Sequence, residues 1–146
     1  MLQHNPEPSI VMNRVDLSRL EYLDESIVGI HGTPFTGVAF AMHSTGHLAY
    51  EAEFLDGVVN GHVREWYENG QKKLDSIRLG EAENGGVIEW YPDGVKKREA
   101  QCELGVCLFS KTWDESGRLM EDCELKASDP AYRLLELNRA VVGQRK

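Results

Sequence analysis

A string of ten residues that occurs twice constrains the fold of this chain more than any other feature. The first copy reads Gly-His-Val-Arg-Glu-Trp-Tyr-Glu-Asn-Gly over 61–70, and the second reads Gly-Gly-Val-Ile-Glu-Trp-Tyr-Pro-Asp-Gly over 85–94. Trp66 and Trp90 are therefore 24 residues apart. A repeat with a period in the twenties indicates a row of similar supersecondary units that pack against one another.

Degenerate copies extend the repeat in both directions. Residues 37–46 begin and end with glycine at the same spacing, with Met42 at the tryptophan position, and Trp113 again lies four residues before a glycine, Gly117. The sequence therefore predicts four copies, at 37–60, 61–84, 85–107 and 108–126.

The turn residues of each copy predict a β-hairpin. Asn69-Gly70 and Asp93-Gly94 are strong signals for a two-residue type I′ turn, which needs positive φ at both central positions. A run with valine and aromatic residues precedes each turn, and a second alternating run follows it. We therefore predict an all-β fold, in which tandem β-hairpin repeats form an extended, twisted antiparallel meander.

Alternation within the second strand of each copy predicts one packed and one wet face. Tyr50, Ala52 and Phe54 share one side of their strand, whereas Glu51 and Glu53 share the other. The later copies repeat this division, so the wet face is predicted to be acidic.

The regions outside the copies complete a predicted organisation in three parts. Residues 1–14 are a loose N-terminal lead, 15–126 form the repeat domain, and 127–146 form a C-terminal helix with a basic tail. Asp129 as N-cap and Pro130 at the first helical position predict a helix over about 130–141. We expect this short helix to cap the last exposed edge and apolar face of the sheet.

Composition limits the kinds of partner and the cellular compartment that are expected for this chain. The 146 residues include 24 acidic and 16 basic side chains, a net charge of −8, which disfavours nucleic acid and anionic membranes as partners. We find no apolar run that approaches a membrane span and no secretory signal. Cys102, Cys107 and Cys123 are an odd set, which we interpret as buried thiols in a reducing, cytoplasmic environment.

Chemical motifs are missing from the sequence. It contains neither a nucleophile elbow nor a phosphate-binding glycine loop. His43, His47 and His62 could hold a metal ion, but His43 occupies the slot that Tyr67 fills in the next copy and is better explained as a strand residue. We therefore predict a protein that is not an enzyme and has no catalytic residues, metal or cofactor.

The Trp-Tyr pairs are the candidate functional residues. Each tryptophan is predicted to be a core residue of its repeat, and these are Trp66, Trp90 and Trp113. The tyrosines lie on the other side of the strand and share it with glutamates. This gives a partner-binding hypothesis for Glu65, Tyr67, Glu89 and Tyr91, since tyrosine supplies contact area and carboxylates steer a basic surface.

These motifs resemble a known family. Pro34-Phe-Thr-Gly37, followed by units that end in Trp-Tyr-x-(Asn/Asp)-Gly, resembles the variant MORN repeat and, more closely, the bacterial antitoxin proteins of the YwqK type. The resemblance covers about residues 20–126. It implies a β-meander that binds another protein and, through the family's label, neutralises a toxin.

Two functions therefore stay open on the sequence alone. The first is an antitoxin or immunity protein that binds and neutralises a basic toxin. The second is a scaffolding repeat protein that self-associates into homo-oligomers, or organises cytoplasmic partners, through its open sheet edge.

Overall fold

One large sheet dominates the computed structural model, which describes residues 13–144. In this part of the chain, nine strands pair in the order β1-β5-β6-β7-β8-β9-β10-β11-β12, and three short strands form a second sheet in the order β2-β3-β4. A mostly β protein with an antiparallel meander and one C-terminal helix is thus confirmed. The elements are β1 Arg14–Asp16, β2 Glu21–Tyr22, β3 Val28–Ile30, β4 Thr33–Pro34, β5 Gly37–Met42, β6 Leu48–Leu55, β7 Val58–Trp66, β8 Lys72–Leu79, β9 Ala82–Trp90, β10 Lys96–Glu103, β11 Val106–Trp113, β12 Leu119–Glu124 and α1 Pro130–Gly143.

The start of the chain is more structured than the sequence indicated. The predicted loose lead over 1–14 lies outside the described residues up to position 12, but Arg14 already belongs to β1. This strand pairs with β5 in parallel, with Val15 opposite Ala39, and so departs from the purely antiparallel pattern. A single turn of 3-10 helix, Leu17–Arg19, then leads into the small sheet.

The turns that end in Asn-Gly or Asp-Gly have a different geometry from the predicted type I′. The Gly70 N–H donates to the Tyr67 carbonyl at 3.0 Å, and Gly70 has a φ of 87°. Asn69 itself does not have a positive φ, and its side chain accepts the Gln71 N–H at 3.0 Å and donates to the Pro92 carbonyl at 2.9 Å. The turn is thus a type I turn followed by a left-handed glycine, the combination that produces a bulged hairpin.

Type I′ geometry occurs instead at the β6–β7 and β10–β11 turns of the large sheet and at the β3–β4 turn of the small sheet. Both central residues of these turns have a positive φ. The values are 51° at His31 and 78° at Gly32, 50° at Asp56 and 83° at Gly57, and 49° at Leu104 and 84° at Gly105. The sequence prediction, which relied on the Asn-Gly and Asp-Gly pairs next to the tryptophans, missed this geometry: Asp56-Gly57 carries the same Asp-Gly signal, whereas His31-Gly32 and Leu104-Gly105 contain neither pair.

Small side chains form the buried centre of the large sheet. Cross-strand neighbours place one row of such residues through the sheet, with Ala39, Val87 and Ala100 among them at 0–3% exposure. The row comprises Ala39, Ala52, Val63, Ser76, Val87, Ala100, Ser110 and Cys123, of which the last two lie beyond the buried centre, since Ser110 is half-buried and Cys123 is exposed. Its N-terminal part lies in a cluster with Phe35 and Phe54, and its middle part in a cluster with Leu74 and Cys102.

The helix α1 packs at the β10–β11 turn. Leu135 is fully buried, the Asn138 amide donates to the Leu104 carbonyl at 3.1 Å, and Arg139 pairs with Glu103. The predicted helix is thus confirmed, but all six residues of β12 are exposed, so α1 does not cover the sheet edge as expected. Arg145 and Lys146 of the predicted basic tail lie outside the described residues. Within 13–144, no helix has the length and apolar character that crossing a bilayer requires.

Candidate protein-binding surface

The four predicted partner-binding residues lie together, and we call them the Tyr–Glu strip. Glu65 and Glu89 belong to one cross-strand row with Leu74 between them, so they are two strands apart, or about 10 Å. Tyr67 and Tyr91 follow directly after the last residues of β7 and β9. All four side chains are half-buried, which leaves part of each accessible to a partner.

The tyrosine hydroxyls connect successive hairpins. Tyr67 donates to the main-chain carbonyl of Trp90 at 2.7 Å, and Tyr91 donates to that of Trp113 at 2.9 Å. His43 holds the equivalent position one hairpin earlier, with its Nε2 at 2.7 Å from the Trp66 carbonyl. These residues therefore have a structural role that sequence reasoning missed, and only their rings are left for contact with a partner.

Basic side chains accompany every member of the Tyr–Glu strip. Lys73 Nζ lies 5.7 Å from the centroid of the Tyr67 ring and 3.6 Å from Glu65. Lys97 Nζ lies 5.6 Å from the Tyr91 ring centroid. Glu89 is 3.5 Å from Arg98, and its side chain is 32% exposed. A basic partner would therefore bind carboxylates, Glu65 and Glu89, that each already contact a basic side chain of this chain.

The pKa of Tyr67 reflects this setting. Burial raises the pKa of the Tyr67 phenol, Lys73 acts in the opposite direction, and Glu89, Tyr91 and Glu65 raise it further. The hydroxyl accordingly keeps its proton and its hydrogen bond to Trp90. Glu65, Glu89 and Tyr91 thus all act on the Tyr67 hydroxyl, across two hairpins.

The structure places the three tryptophans outside the buried clusters. Trp66, Trp90 and Trp113 are half-buried, on the face opposite the row of small residues. Lysines lie over two of the rings, with Lys72 Nζ 6.0 Å from the Trp66 centroid and Lys96 Nζ 5.6 Å from that of Trp113. Side chains alternate along a strand, so Trp66 and Trp90, each three residues after a buried valine, face the other side.

The opposite face carries alternating charge rather than the predicted acidic surface. Arg64 lies between Glu51 at 3.3 Å and Asp75 at 3.4 Å. We call the cross-strand row on this face the charge ladder; it runs Phe40, Glu51, Arg64, Asp75, Ile88, Glu99, Lys111, Asp122. The prediction of an acidic face considered only the acids of the second strands. It left out the bases on the same face, which are Arg64 and Lys111 of first strands and Lys72 and Lys96 of second strands.

The pKa of Asp75 in this ladder is lowered. Burial raises the pKa of the carboxyl, but hydrogen bonds from His62 and Lys72 and the charge of Arg64 outweigh that effect. The His62 ring Nδ1 lies 3.0 Å from Asp75. His43 and His62 therefore each have a protein partner of their own, on different hairpins.

The cysteines differ from the buried thiols that the sequence indicated. Cys102 and Cys107 form a disulfide across the β10–β11 hairpin, and Cys123 is a free, exposed thiol. Glu83 lies 3.4 Å from the sulfur of Cys102, a contact without a donated proton, since a disulfide carries none. Glu83, Cys102 and Cys107 form the one cluster of metal-ligand type in the described residues. Arg98 already occupies Glu83, to which it donates two hydrogen bonds of 3.0 and 3.1 Å.

Fold and surface together define a class of protein built on one open antiparallel sheet, with a helix at its C-terminal end and a row of half-buried tyrosines and glutamates along the hairpin turns. No protein-family model and no solved structure matches the chain.

A curated relative identifies the family. The protein named Immunity protein YwqK, of Bacillus subtilis (strain 168), is 34% identical over 109 residues, which cover 75% of this chain and 71% of the relative. The chain belongs to the YwqK family.

Proposed function

We propose that this chain is an immunity protein that binds a basic protein toxin and neutralises it. One observation carries the proposal: the 34% identical relative, which the chain matches over 71% of its length, is named as an immunity protein. The net charge of −8 supports a basic partner, because complementary charge accelerates and orients association.

We also infer that the hairpins are copies of one unit of the variant MORN type. The bond from the tyrosine or histidine position to the next tryptophan position recurs with sequence separations of 23, 23 and 22 residues. The glycines of the four bulged turns have φ values of 90°, 87°, 93° and 88°. Recurrence of the same bonds and the same turn supports a tandem repeat over a meander of unrelated hairpins.

The Tyr–Glu strip is the surface that we assign to the toxin. It combines tyrosine rings, whose burial contributes strongly at interfaces, with carboxylates that are two strands apart on one face. Hydrogen bonds to main-chain carbonyls hold Tyr67 and Tyr91 in place, so a partner meets a preformed surface.

Neutralisation in cells tests this assignment. We expect a toxic open reading frame next to the one that encodes this chain, and a strain that expresses it should survive when this chain is co-expressed. The double variant Glu65→Lys/Glu89→Lys should lose this protection, because it repels a basic surface. Glu99→Lys is the matched control, since Glu99 lies on the charge ladder and also loses an ion pair, with Lys96 at 3.0 Å. Equal protection by all three proteins would remove the strip from the interface.

The proposal further assigns no catalytic step to this chain and places it in the cytoplasm. An antagonist that acts by binding should protect only when it reaches equimolar amounts with the toxin. Titration of purified protein against toxin activity tests this, and full protection far below equimolar amounts would indicate an enzyme instead. Fractionation of the native cells would test the compartment.

A further inference from the structure

The outer side of β12 is an open sheet edge. β12 is the last strand of the large sheet, and within residues 13–144 its one strand partner is β11. All six residues of the strand, Leu-Met-Glu-Asp-Cys-Glu, are exposed. The helix α1 packs at the Leu104 turn instead, where Asn138 and Arg139 hold it. An edge of this kind can pair with an additional strand.

The register shows which main-chain groups face outward. The Leu125 N–H donates to the Leu108 carbonyl at 2.8 Å, so these two residues form a hydrogen-bonded pair. The pairs that follow along the strands are Phe109 opposite Glu124, Ser110 opposite Cys123 and Lys111 opposite Asp122. Antiparallel pairs alternate between hydrogen-bonded and non-bonded. Asp122 and Glu124 fall in the non-bonded pairs, so their N–H and C=O groups point away from β11 and toward the open side.

Charge at this edge specifies what can bind. The charge ladder alternates in sign where Arg64 lies between Glu51 and Asp75, and it ends with Lys111 at 4.0 Å from Asp122. A residue next to Asp122 on an added strand continues this alternation when that residue is basic. β12 itself has three acidic side chains and no basic one. Opposite charges on neighbouring strands stabilise a sheet, and like charges destabilise it.

We propose that the β12 edge receives an extended basic segment of the protein partner, which adds a tenth strand to the nine of the large sheet. This inference rests on the proposed function, since it names how the toxin is held. The edge continues the Tyr–Glu strip, because the cross-strand row of Glu65 and Glu89 runs through Arg98 and Thr112 to Glu121. A second copy of this chain is a poor occupant, because two β12 strands would set acidic side chains against each other.

Amide exchange with synthetic peptides tests the proposal directly. The probe is a blocked peptide of alternating lysine and valine as long as β12, and the matched peptide has glutamate in place of lysine. Binding of the lysine peptide to the full chain should slow exchange of the Asp122 and Glu124 amides about tenfold or more, because a new strand protects them. Unchanged exchange, or equal protection by the glutamate peptide, would overturn the proposal. The acidic side chains of β12 would then serve only to keep copies of this chain from pairing with one another.

Two variants at one position separate the main chain from the charge. Asp122→Ala keeps the outward N–H and removes one charge, so it should weaken peptide binding a few-fold. Asp122→Pro removes the same charge and also the outward donor, without breaking a bond to β11, so it should abolish binding. Glu68→Ala, in the exposed turn between β7 and β8, controls for net charge and should bind as the wild type does. Equal binding by the alanine and proline variants would contradict strand addition.

The outcome is distinguishable from failure of the immunity function. If the wild type protects cells and Asp122→Pro protects them equally, the function stands and the edge is excluded. If the wild type gives no protection while the lysine peptide still protects the Asp122 amide, the edge binds basic strands and the toxin assignment fails. A dimer in solution that Asp122→Pro dissociates would give the edge to a second copy and overturn the proposal.

Discussion

The two buried clusters of the large sheet are held together by different forces. Near the N-terminal end, Phe35 and Phe54 pack with ring centroids 5.9 Å apart, and the small sheet supplies further apolar cover from Val28 and Ile30. Toward the C-terminal end, the cluster of Leu74, Val87, Ala100 and Cys102 has no aromatic ring. Beside it lie a disulfide and the Arg98–Glu83 ion pair instead.

This difference shows how an open sheet can stay folded along its whole length. Apolar burial suffices where a second layer covers the strands, because it scales with the area removed from water. Where the cover is thin, hydrogen-bonded charges and a covalent bond between strands take its place. The C-terminal half is therefore expected to respond to pH, and the N-terminal half to the loss of apolar volume.

Truncation of Phe54 should give the largest effect. Phe54→Ala leaves a cavity against Phe35 and should reduce the free energy of unfolding by about 3–5 kcal/mol. Phe109→Ala in β11, where the ring is 37% exposed, should cost about 1 kcal/mol or less. Denaturant unfolding followed by tryptophan fluorescence measures both. Similar losses for the two phenylalanines would break the comparison between the regions.

A glycine substitution sharpens the comparison. A Cβ added at Gly85 would lie 2.8 Å from the Cβ of Ile77, and Gly85 has a φ of 147°. Gly85→Ala should therefore reduce the free energy of unfolding by about 3 kcal/mol. At the equivalent Gly61 the obstacle is the flexible carboxylate of Glu53, so Gly61→Ala should cost less. The control Gly86→Ala, whose nearest neighbour atom is 3.7 Å away, should change stability little, and thermal unfolding of all three variants would show the order.

The strands from β5 to β12 could be predicted because their signals are local. Alternation and a turn glycine within each hairpin decide the pairing, so Tyr50, Ala52 and Phe54 were placed on one face without knowledge of distant contacts. The pairing of β1 escaped prediction, since its three residues pair with β5 across a long segment and in parallel. The small sheet has strands of two or three residues, too short for periodicity to detect.

That the four residues of the Tyr–Glu strip lie together was predictable, and their hydrogen bonds were not. Side-chain alternation put Glu65 and Tyr67 on one face. The acceptors of the tyrosine hydroxyls are main-chain carbonyls, which leave no residue-specific signal in a sequence. The bases that accompany the strip come from the following strand, whose bulge at Lys73 or Lys97 sets their position and cannot be read from spacing alone.

Acid should weaken the C-terminal half first. Hydrogen bonds from Arg98 hold the pKa of Glu83 below its ordinary value of 4.5, against the opposing effect of burial. A lowered folded-state pKa contributes stability that is fully present above the unfolded-state value and is lost as the pH falls through the folded-state value.

Glu83→Gln tests this dependence. It should lower the free energy of unfolding at neutral pH by about 1–2 kcal/mol, a range reduced for the partial exposure of the pair. Its stability should also fall less steeply than that of the wild type below pH 4.5. Urea unfolding at a series of pH values measures both quantities. Glu115→Gln in an exposed turn should keep the wild-type pH profile, and a matching profile for Glu83→Gln would show that the ion pair does not stabilise this half.

Removal of one hydroxyl should give the smallest effect and locate the boundary between the halves. Tyr67→Phe deletes the donor to the Trp90 carbonyl, a bond of 2.7 Å between the second and third hairpins, and should cost about 1 kcal/mol. Tyr22→Phe, with a side chain that is 79% exposed, should leave the free energy of unfolding unchanged. Native-state amide exchange should show the loss in β9 and β10 and not in β5, since the hydroxyl ties the C-terminal hairpins to a sheet half that apolar packing already holds. An equal loss of protection in β5 would mean that the two clusters unfold as one unit.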